Sequence, residues 1–218
     1  QDLILGIIEG LTEFLPISST GHMILADSMM QIKDNEFVKT FEIAIQLGAI
    51  AAVGLLYIRR FLKEPRLYGI LFVAFLPTGI FGLLFYKYIK SLLFNPISVS
   101  IALILGGIVL LFFDKLSQKR GESHEAHEIE ITPRIAITIG LFQVISMVPG
   151  VSRAAATIGG GLVAGLSRVR AVEFSFLLAV PTMVVATAYD LYKNRATLHA
   201  AHLDLLVIGA AVAFVTAL

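Results

Sequence analysis

Glu9 and Glu13 stand four residues apart in the run Glu9-Gly-Leu-Thr-Glu-Phe-Leu-Pro-Ile-Ser-Ser-Thr-Gly-His22. On a helix that spacing puts both carboxylates on one face. Pro16, Ser18, Ser19, Thr20 and His22 follow at once. Ionisable groups are costly in an apolar stretch and mark a site by default. Two carboxylates, several hydroxyls and an imidazole could hold a divalent cation, take up a proton and supply a nucleophile. Carboxylates together with phosphate oxygens suit magnesium or calcium, with Glu9 and Glu13 as the metal ligands. The competing reading is that Glu9 and Glu13 reach an interface or pair with a buried arginine.

A second cluster reads Pro149-Gly-Val-Ser-Arg-Ala-Ala-Ala-Thr157. The guanidinium of Arg153 is a fork that matches carboxylate and phosphate alike. Ser152 and the free N–H groups opening the next helix extend an anion cradle. A structural Arg153–Glu pair between the two clusters competes with phosphate binding, and the two roles are compatible. Glu42, Gln46 and Glu173 either line the same site or are polar residues at helix ends. Gly6 with Gly10, and Gly159 to Gly161 with Gly165, suit close helix packing. His124 and His127 among Glu122, Glu125 and Glu128 read as solvated, as do His199 and His202.

The elements that must position these groups are apolar. The chain has 218 residues, 57% hydrophobic and 15% charged, with net charge +1. A soluble domain carries more charge, and a nucleic-acid binder shows a basic stripe. An integral membrane protein is what remains. No cysteine is present, so disulfides are excluded. No cleavable signal is recognisable, and none is needed if the helices themselves insert.

Apolar runs at 41–58, 67–86, 97–113 and 174–189 approach spanning length, and another starts at 205. About 20 residues cross a bilayer. The chain stops inside that last run, so further residues are expected beyond it. Two pieces are shorter: 3–15 runs into Pro16 and 135–148 into Pro149. Each is followed by a serine-containing turn and a second short piece, 20–30 and 154–166. Helix, polar break, helix reads as a re-entrant hairpin, which membranes tolerate only where protein or a cavity satisfies the backbone.

Tyr57, Tyr68, Tyr86, Tyr88, Tyr189 and Tyr192 fall at segment ends, as an interfacial belt places them. Arg59, Arg60, Lys63 and Arg66 crowd one short loop, which the positive-inside rule assigns to the cytoplasm. Counting spans from there, the loop at 114–134 is cytoplasmic, and the two hairpins start from opposite faces. Glu42 follows Pro16, and Glu173 follows Pro149, at nearly equal spacing. The expected fold is therefore an all-α polytopic helical bundle, one membrane domain over 1–218. It contains an inverted-topology repeat: 1–113 with a re-entrant hairpin at 3–30, and 135–218 with a re-entrant hairpin at 135–166. About six spans are expected once the second half is complete. Inverted repeats with broken helices suit transporters, and they can equally build a buried enzyme site.

The run from Glu9 to Met23 and Pro149-Gly-Val-Ser-Arg153 closely resemble the two signature motifs of the bacterial undecaprenyl-diphosphate phosphatase family, the bacitracin-resistance type. Phe41-Glu-Ile-Ala-Ile-Gln-Leu-Gly48 and Glu173-Phe-Ser-Phe-Leu-Leu-Ala-Val-Pro181 resemble further blocks of it. The resemblance implies a membrane hydrolase that removes the terminal phosphate of undecaprenyl diphosphate, recycling the carrier for peptidoglycan. It implies dependence on a divalent cation (Mg2+ or Ca2+), a polyprenyl diphosphate lipid as substrate, and a bacterial cytoplasmic membrane. The site is expected to open to the outer face, and the resemblance leaves room for a homodimer. By motif position, Glu9, Glu13, Ser19 and His22 match catalytic residues, while Ser152 and Arg153, with Ser18, Thr20 and Thr157, match the substrate-binding region.

One departure stands out: Ala154-Ala155 follow Arg153 where the family usually has Ser-Gly, so no hydroxyl is available there. The residues leave open whether Ser19 or His22 is the nucleophile or whether one of them orients a water. They also leave open a transporter or flippase for a lipid phosphate or an ion.

Overall fold

The computed structural model describes residues 2–32, 36–92, 96–119, 130–193 and 203–218. Among them the chain forms ten helices and no strand: α1 (Asp2–Thr12), α2 (Ser19–Met29), α3 (Glu36–Leu56), α4 (Ile58–Lys63), α5 (Pro65–Leu92), α6 (Pro96–Lys119), α7 (Pro133–Ile145), α8 (Arg153–Val163), α9 (Arg168–Lys193) and α10 (Leu203–Ala217). Every apolar run in the sequence contains a helix.

Local chemistry sets the ends. Pro65, Pro96 and Pro133 open α5, α6 and α7, where a missing N–H costs nothing. Thr132 caps α7, its hydroxyl accepting from the Ile135 N–H. Ser18 and Ser152 cap α2 and α8 in the same way. The short helices pair as α1/α2 and α7/α8 with Pro16 and Pro149 in the intervening turns, but α1 ends at Thr12 and α7 at Ile145, short of the expected 15 and 148. Gly165 has φ +93, and the Leu166 N–H reaches back to the Gly161 carbonyl. It ends α8 as a left-handed cap, so its grouping with the packing glycines is corrected.

Three other expectations change. The basic stretch after α3 is not a loop. Tyr57 breaks the chain, and Ile58–Lys63 then turns into α4, whose Arg60 is bound by Glu64 and Glu173. The segment expected as a loop from 114 begins as helix, since α6 continues to Lys119. Of the apolar runs, Pro65–Tyr86 and Arg168–Lys193 are long and apolar enough to cross a membrane, whereas the apolar parts of α3, α6 and α10 are shorter. His124, His127, His199 and His202 lie outside the described residues.

The outer faces are greasy. Leu83, Leu84, Ile104, Ile108 and Leu111 are each more exposed than buried. Exposed apolar surface on that scale needs a nonaqueous neighbour. Two cores lie inside. One gathers Leu71 of α5, Ile139 of α7, and Phe174 and Leu178 of α9. The other gathers Leu5 of α1, Met23 of α2, and Phe41 and Ile45 of α3, with Leu205 and Leu206 of α10 against them.

Glycine permits the closest approaches. A Cβ on Gly6 or Gly10 would run into α10, and one on Gly48 would overlap the Ala210 backbone. Gly160 and Gly161 likewise abut Phe142 and Ala171. Two contacts fix the relation of α3 to α9. Thr187 donates to the Ile43 carbonyl at 3.2 Å, and Arg60 just past α3 meets Glu173. The two helices are therefore antiparallel, and they cross the molecule side by side between the two hairpins.

Candidate active site

The tips of the two broken helices meet. Glu13 lies one residue past α1, but its N–H still bonds the Glu9 carbonyl at 2.9 Å, so the one-face relation of the two carboxylates holds. Its side chain is almost fully buried and bridges both tips. Oε2 accepts from the Ser19 hydroxyl at 2.5 Å, and Oε1 accepts from Arg153 Nη2 at 3.0 Å. Arg153 is the first residue of α8, and its Nη1 donates to the Ser175 carbonyl at 3.1 Å. The guanidinium is thus anchored on α9 while its outer fork faces Glu13.

Glu9 is fully buried, and neither of its oxygens has a hydrogen-bond partner. A buried acceptor without a partner is costly, and a cation bound there would offset that cost. Glu9, Glu13 and Ser19 offer oxygen ligands of the type a hard divalent cation takes. No group of three or more His, Cys, Asp or Glu capable of holding a metal occurs among the described residues. Substrate oxygens and water would therefore complete such a shell. The donor set fits a cation of the magnesium or calcium type on those terms.

Ser18 takes φ +65, rare for a residue with a side chain. That conformation opens α2 and presents its carbonyl to His22, whose Nδ1 lies 2.8 Å away. A carbonyl only accepts, so Nδ1 carries the hydrogen and Nε2 is left to accept or exchange a proton. Thr20 accepts from Gln46 Nε2 at 3.3 Å. Thr157 instead turns away from the tips, sharing a 2.6 Å hydrogen bond with Ser175 and donating to the Arg153 carbonyl. The Ser152 hydroxyl accepts from the Ala155 N–H. These two hydroxyls brace the backbone that carries Arg153.

Beside the tips lies a cavity of about 520 Å³, mostly apolar, between α5, α9 and the α7–α8 break. Ser18, Thr20 and Gln46 form its polar margin toward the carboxylates. Three polar residues not singled out from the sequence, Gln143, Asp190 and Ser175, also belong here. Gln143 is fully buried and donates to Thr78 at 2.9 Å and Thr182 at 3.3 Å. Tyr86 donates to Asp190 at 2.8 Å. Ser175 holds Arg153. A lone amide, carboxylate or hydroxyl inside an apolar run was the available signal for each.

Fold and site together define a helical membrane protein with a buried carboxylate–hydroxyl–guanidinium centre beside a lipid-compatible cavity. The chain belongs to the bacitracin resistance protein BacA family, whose model matches residues 2–218. It is 48% identical over 219 residues to an undecaprenyl-diphosphatase of Aquifex aeolicus, covering 100% of this chain and 85% of that protein. A Wolinella succinogenes protein of the same name is 51% identical over 217 residues, covering 99% and 84%. One from Bdellovibrio bacteriovorus is 49% identical over 216 residues, covering 99% and 82%.

Proposed function

We propose that this protein is an undecaprenyl-diphosphatase, hydrolysing undecaprenyl diphosphate to undecaprenyl phosphate and inorganic phosphate. The observation that carries the reading is the single carboxylate, Glu13, holding both a hydroxyl and a guanidinium at the hairpin tips. The names of its relatives point to the same reaction. A carrier of lipid phosphate or ions is not favoured.

The terminal phosphate enters where Arg153 now holds Glu13, and the guanidinium fork transfers to phosphate oxygens. Glu13, released from Arg153 but still bonded to Ser19, takes the hydroxyl proton as the Ser19 oxygen attacks phosphorus. The bond from phosphorus to the bridging oxygen breaks, and undecaprenyl phosphate leaves with the bridging oxygen. Water then attacks the phosphoserine, the Ser19 oxygen leaves with the proton held by Glu13, and phosphate is released. His22 Nε2 serves as base for that water. A divalent cation bound by Glu9 and Glu13 would supply charge neutralisation on the phosphate oxygens. Positioning and electrostatics dominate phosphoryl transfer generally.

The two hairpins are re-entrant, and the halves 1–113 and 135–218 are inverted repeats within one membrane domain. Packing supports this reading. Hairpin α1/α2 shares its core with α3 and α10, while α7 packs on α5 and α8 on α9, so each half lends one helix to the other's hairpin. The protein sits in the bacterial inner membrane with the cavity open to the outer face. A homodimer is compatible with this arrangement.

Phosphate release from undecaprenyl diphosphate by purified protein tests the assignment. Near-normal turnover in Ser19→Ala, Glu13→Gln and Arg153→Gln alike would sink it.

A further inference from the structure

The polar side chains around the cavity divide into those whose hydrogens are already bonded and those that still hold one. Thr78 and Thr182 donate to the Gly140 and Leu178 carbonyls, and Ser146 donates to the Gln143 carbonyl. At the outer end Tyr86 donates to Asp190. Ser18, Thr20 and Gln46, on the margin toward the carboxylates, differ. The Ser18 hydroxyl accepts from the Gly21 N–H, and the Thr20 hydroxyl accepts from Gln46 Nε2 at 3.3 Å. Neither hydroxyl hydrogen has an acceptor among the described residues, and nor has the second amide hydrogen of Gln46. Thr20 is only the second residue of α2, so no helical carbonyl lies four residues before it. Gln46 and Ser18 are both more than nine-tenths buried. Donors left over in such a place are costly, and a ligand rich in acceptor oxygens would offset that cost.

The chemistry next door says which oxygens. Ser19 lies between Ser18 and Thr20 in sequence, but its hydroxyl turns to Glu13. Attack by Ser19 is in line, so the leaving oxygen departs on the side of phosphorus away from it. The lipid tail occupies the apolar cavity. The phosphate joined to that tail therefore lies between the Ser19–Arg153 position and the cavity, where the three free donors are.

Resting on the phosphatase reading, we infer that Gln46, with the Ser18 and Thr20 hydroxyls, binds the phosphate that stays on the lipid, and that this subsite makes the enzyme a diphosphatase. When the bond from the terminal phosphorus to the bridging oxygen breaks, its electron pair passes to the departing lipid phosphate. The Gln46 N–H donates to that phosphate as the charge builds. With the tail in the cavity and its first phosphate at Gln46, only a second phosphate reaches Ser19. A lipid monophosphate held in the same register offers Ser19 nothing to attack, so the product is spared.

The test compares farnesyl diphosphate with farnesyl phosphate in mixed micelles at fixed surface concentration. Gln46→Met should lower kcat/KM for the diphosphate at least about tenfold, the scale of a hydrogen bond to a charged group. Competitive inhibition by farnesyl phosphate should weaken by about the same factor. Turnover of farnesyl phosphate should hold or rise, so the preference for diphosphate drops at least about tenfold. Gln46→Glu, which sets a carboxylate against the phosphate, should show larger losses in the same direction. A variant that had only loosened the fold would lower both rates together. Equal losses on the two substrates overturn the inference, as does unchanged inhibition by farnesyl phosphate or normal diphosphate turnover in Gln46→Met. The parent alone supplies a further check: farnesyl phosphate should inhibit at least about tenfold more tightly than farnesol, and equal inhibition overturns the inference. No hydrolysis of farnesyl diphosphate by the parent would instead overturn the phosphatase reading.

Discussion

Arg153 Nη2 lies 3.0 Å from Glu13 Oε1, and both side chains are about nine-tenths buried. This pair links the α1–α2 break to the first residue of α8 across 140 residues of sequence. Removing one partner strands a buried charge, which costs about 3–5 kcal/mol. Glu13→Gln and Arg153→Met should each lower the thermal stability of the detergent-solubilised protein by that order. The double variant should lose clearly less than the sum, read as a double-mutant cycle of melting temperatures. Strict additivity would mean the two residues do not interact.

Ser19→Ala removes the hydroxyl that donates to Glu13. Turnover should fall by at least about 100-fold, the scale of a lost proton-transfer partnership. His22→Ala should slow release of phosphate from the phosphorylated enzyme and so let the intermediate accumulate. Acid quench with radiolabelled terminal phosphate detects it on Ser19 in that variant. No trapped label in His22→Ala, despite slowed turnover, would remove the covalent step.

Chelation tests the cation. EDTA should abolish phosphate release, and magnesium or calcium should restore it. In Glu9→Gln the concentration of cation needed for half-activity should rise at least about tenfold, because one charged oxygen ligand is lost. Full activity in chelator would exclude a cation at Glu9 and Glu13.

Hydrogen bonds from Arg60 hold the Glu64 carboxyl below its ordinary value of 4.5. A depressed carboxyl stabilises the fold above its unfolded value, and that contribution fades as pH falls through the lower folded value. The melting temperature should therefore drop more steeply below about pH 4.5 in the parent than in Glu64→Gln. Glu64 is well exposed, so the difference is small. Parallel curves would show that the bond contributes nothing.

Gly48 faces the Ala210 backbone so closely that a Cβ would overlap it. Gly48→Val should cost about 1–3 kcal/mol by overpacking, visible as a lower melting temperature. Gly54, with open space around its Cβ position, should accept alanine without loss.

How far the residues reveal all this depends on the kind of signal. Helices α5 and α9 are legible because unbroken apolar runs and opening or flanking charges leave one reading. The hairpins are legible because Pro16 and Pro149 each stop a short apolar run. Helix α4 is not, since Arg59, Arg60 and Lys63 look like a basic loop until Glu64 and Glu173 are seen to bind Arg60. At the site, Glu9, Glu13, Ser19 and Arg153 declare themselves by being polar where polarity is costly. An Arg153–glutamate pair between the two clusters is legible too, but not that Glu13 rather than Glu9 is the partner, because that depends on how two distant helix breaks meet. Gln143, Ser175 and Asp190 escaped notice because each is one ordinary polar residue whose partners lie on other helices.

Helix α10 packs on α1 and α3 through Gly6, Gly10, Gly48 and Gly209, and Thr216 donates to the Gly6 carbonyl across 210 residues. The helix that carries Glu9 therefore lacks its neighbour until α10 has been made and inserted. Contacts this distant in sequence are slow to close, and synthesis runs from the N-terminal end. The carboxylate end of the site is thus made well before the helix that locks it in place. Assembly of the site waits on α10.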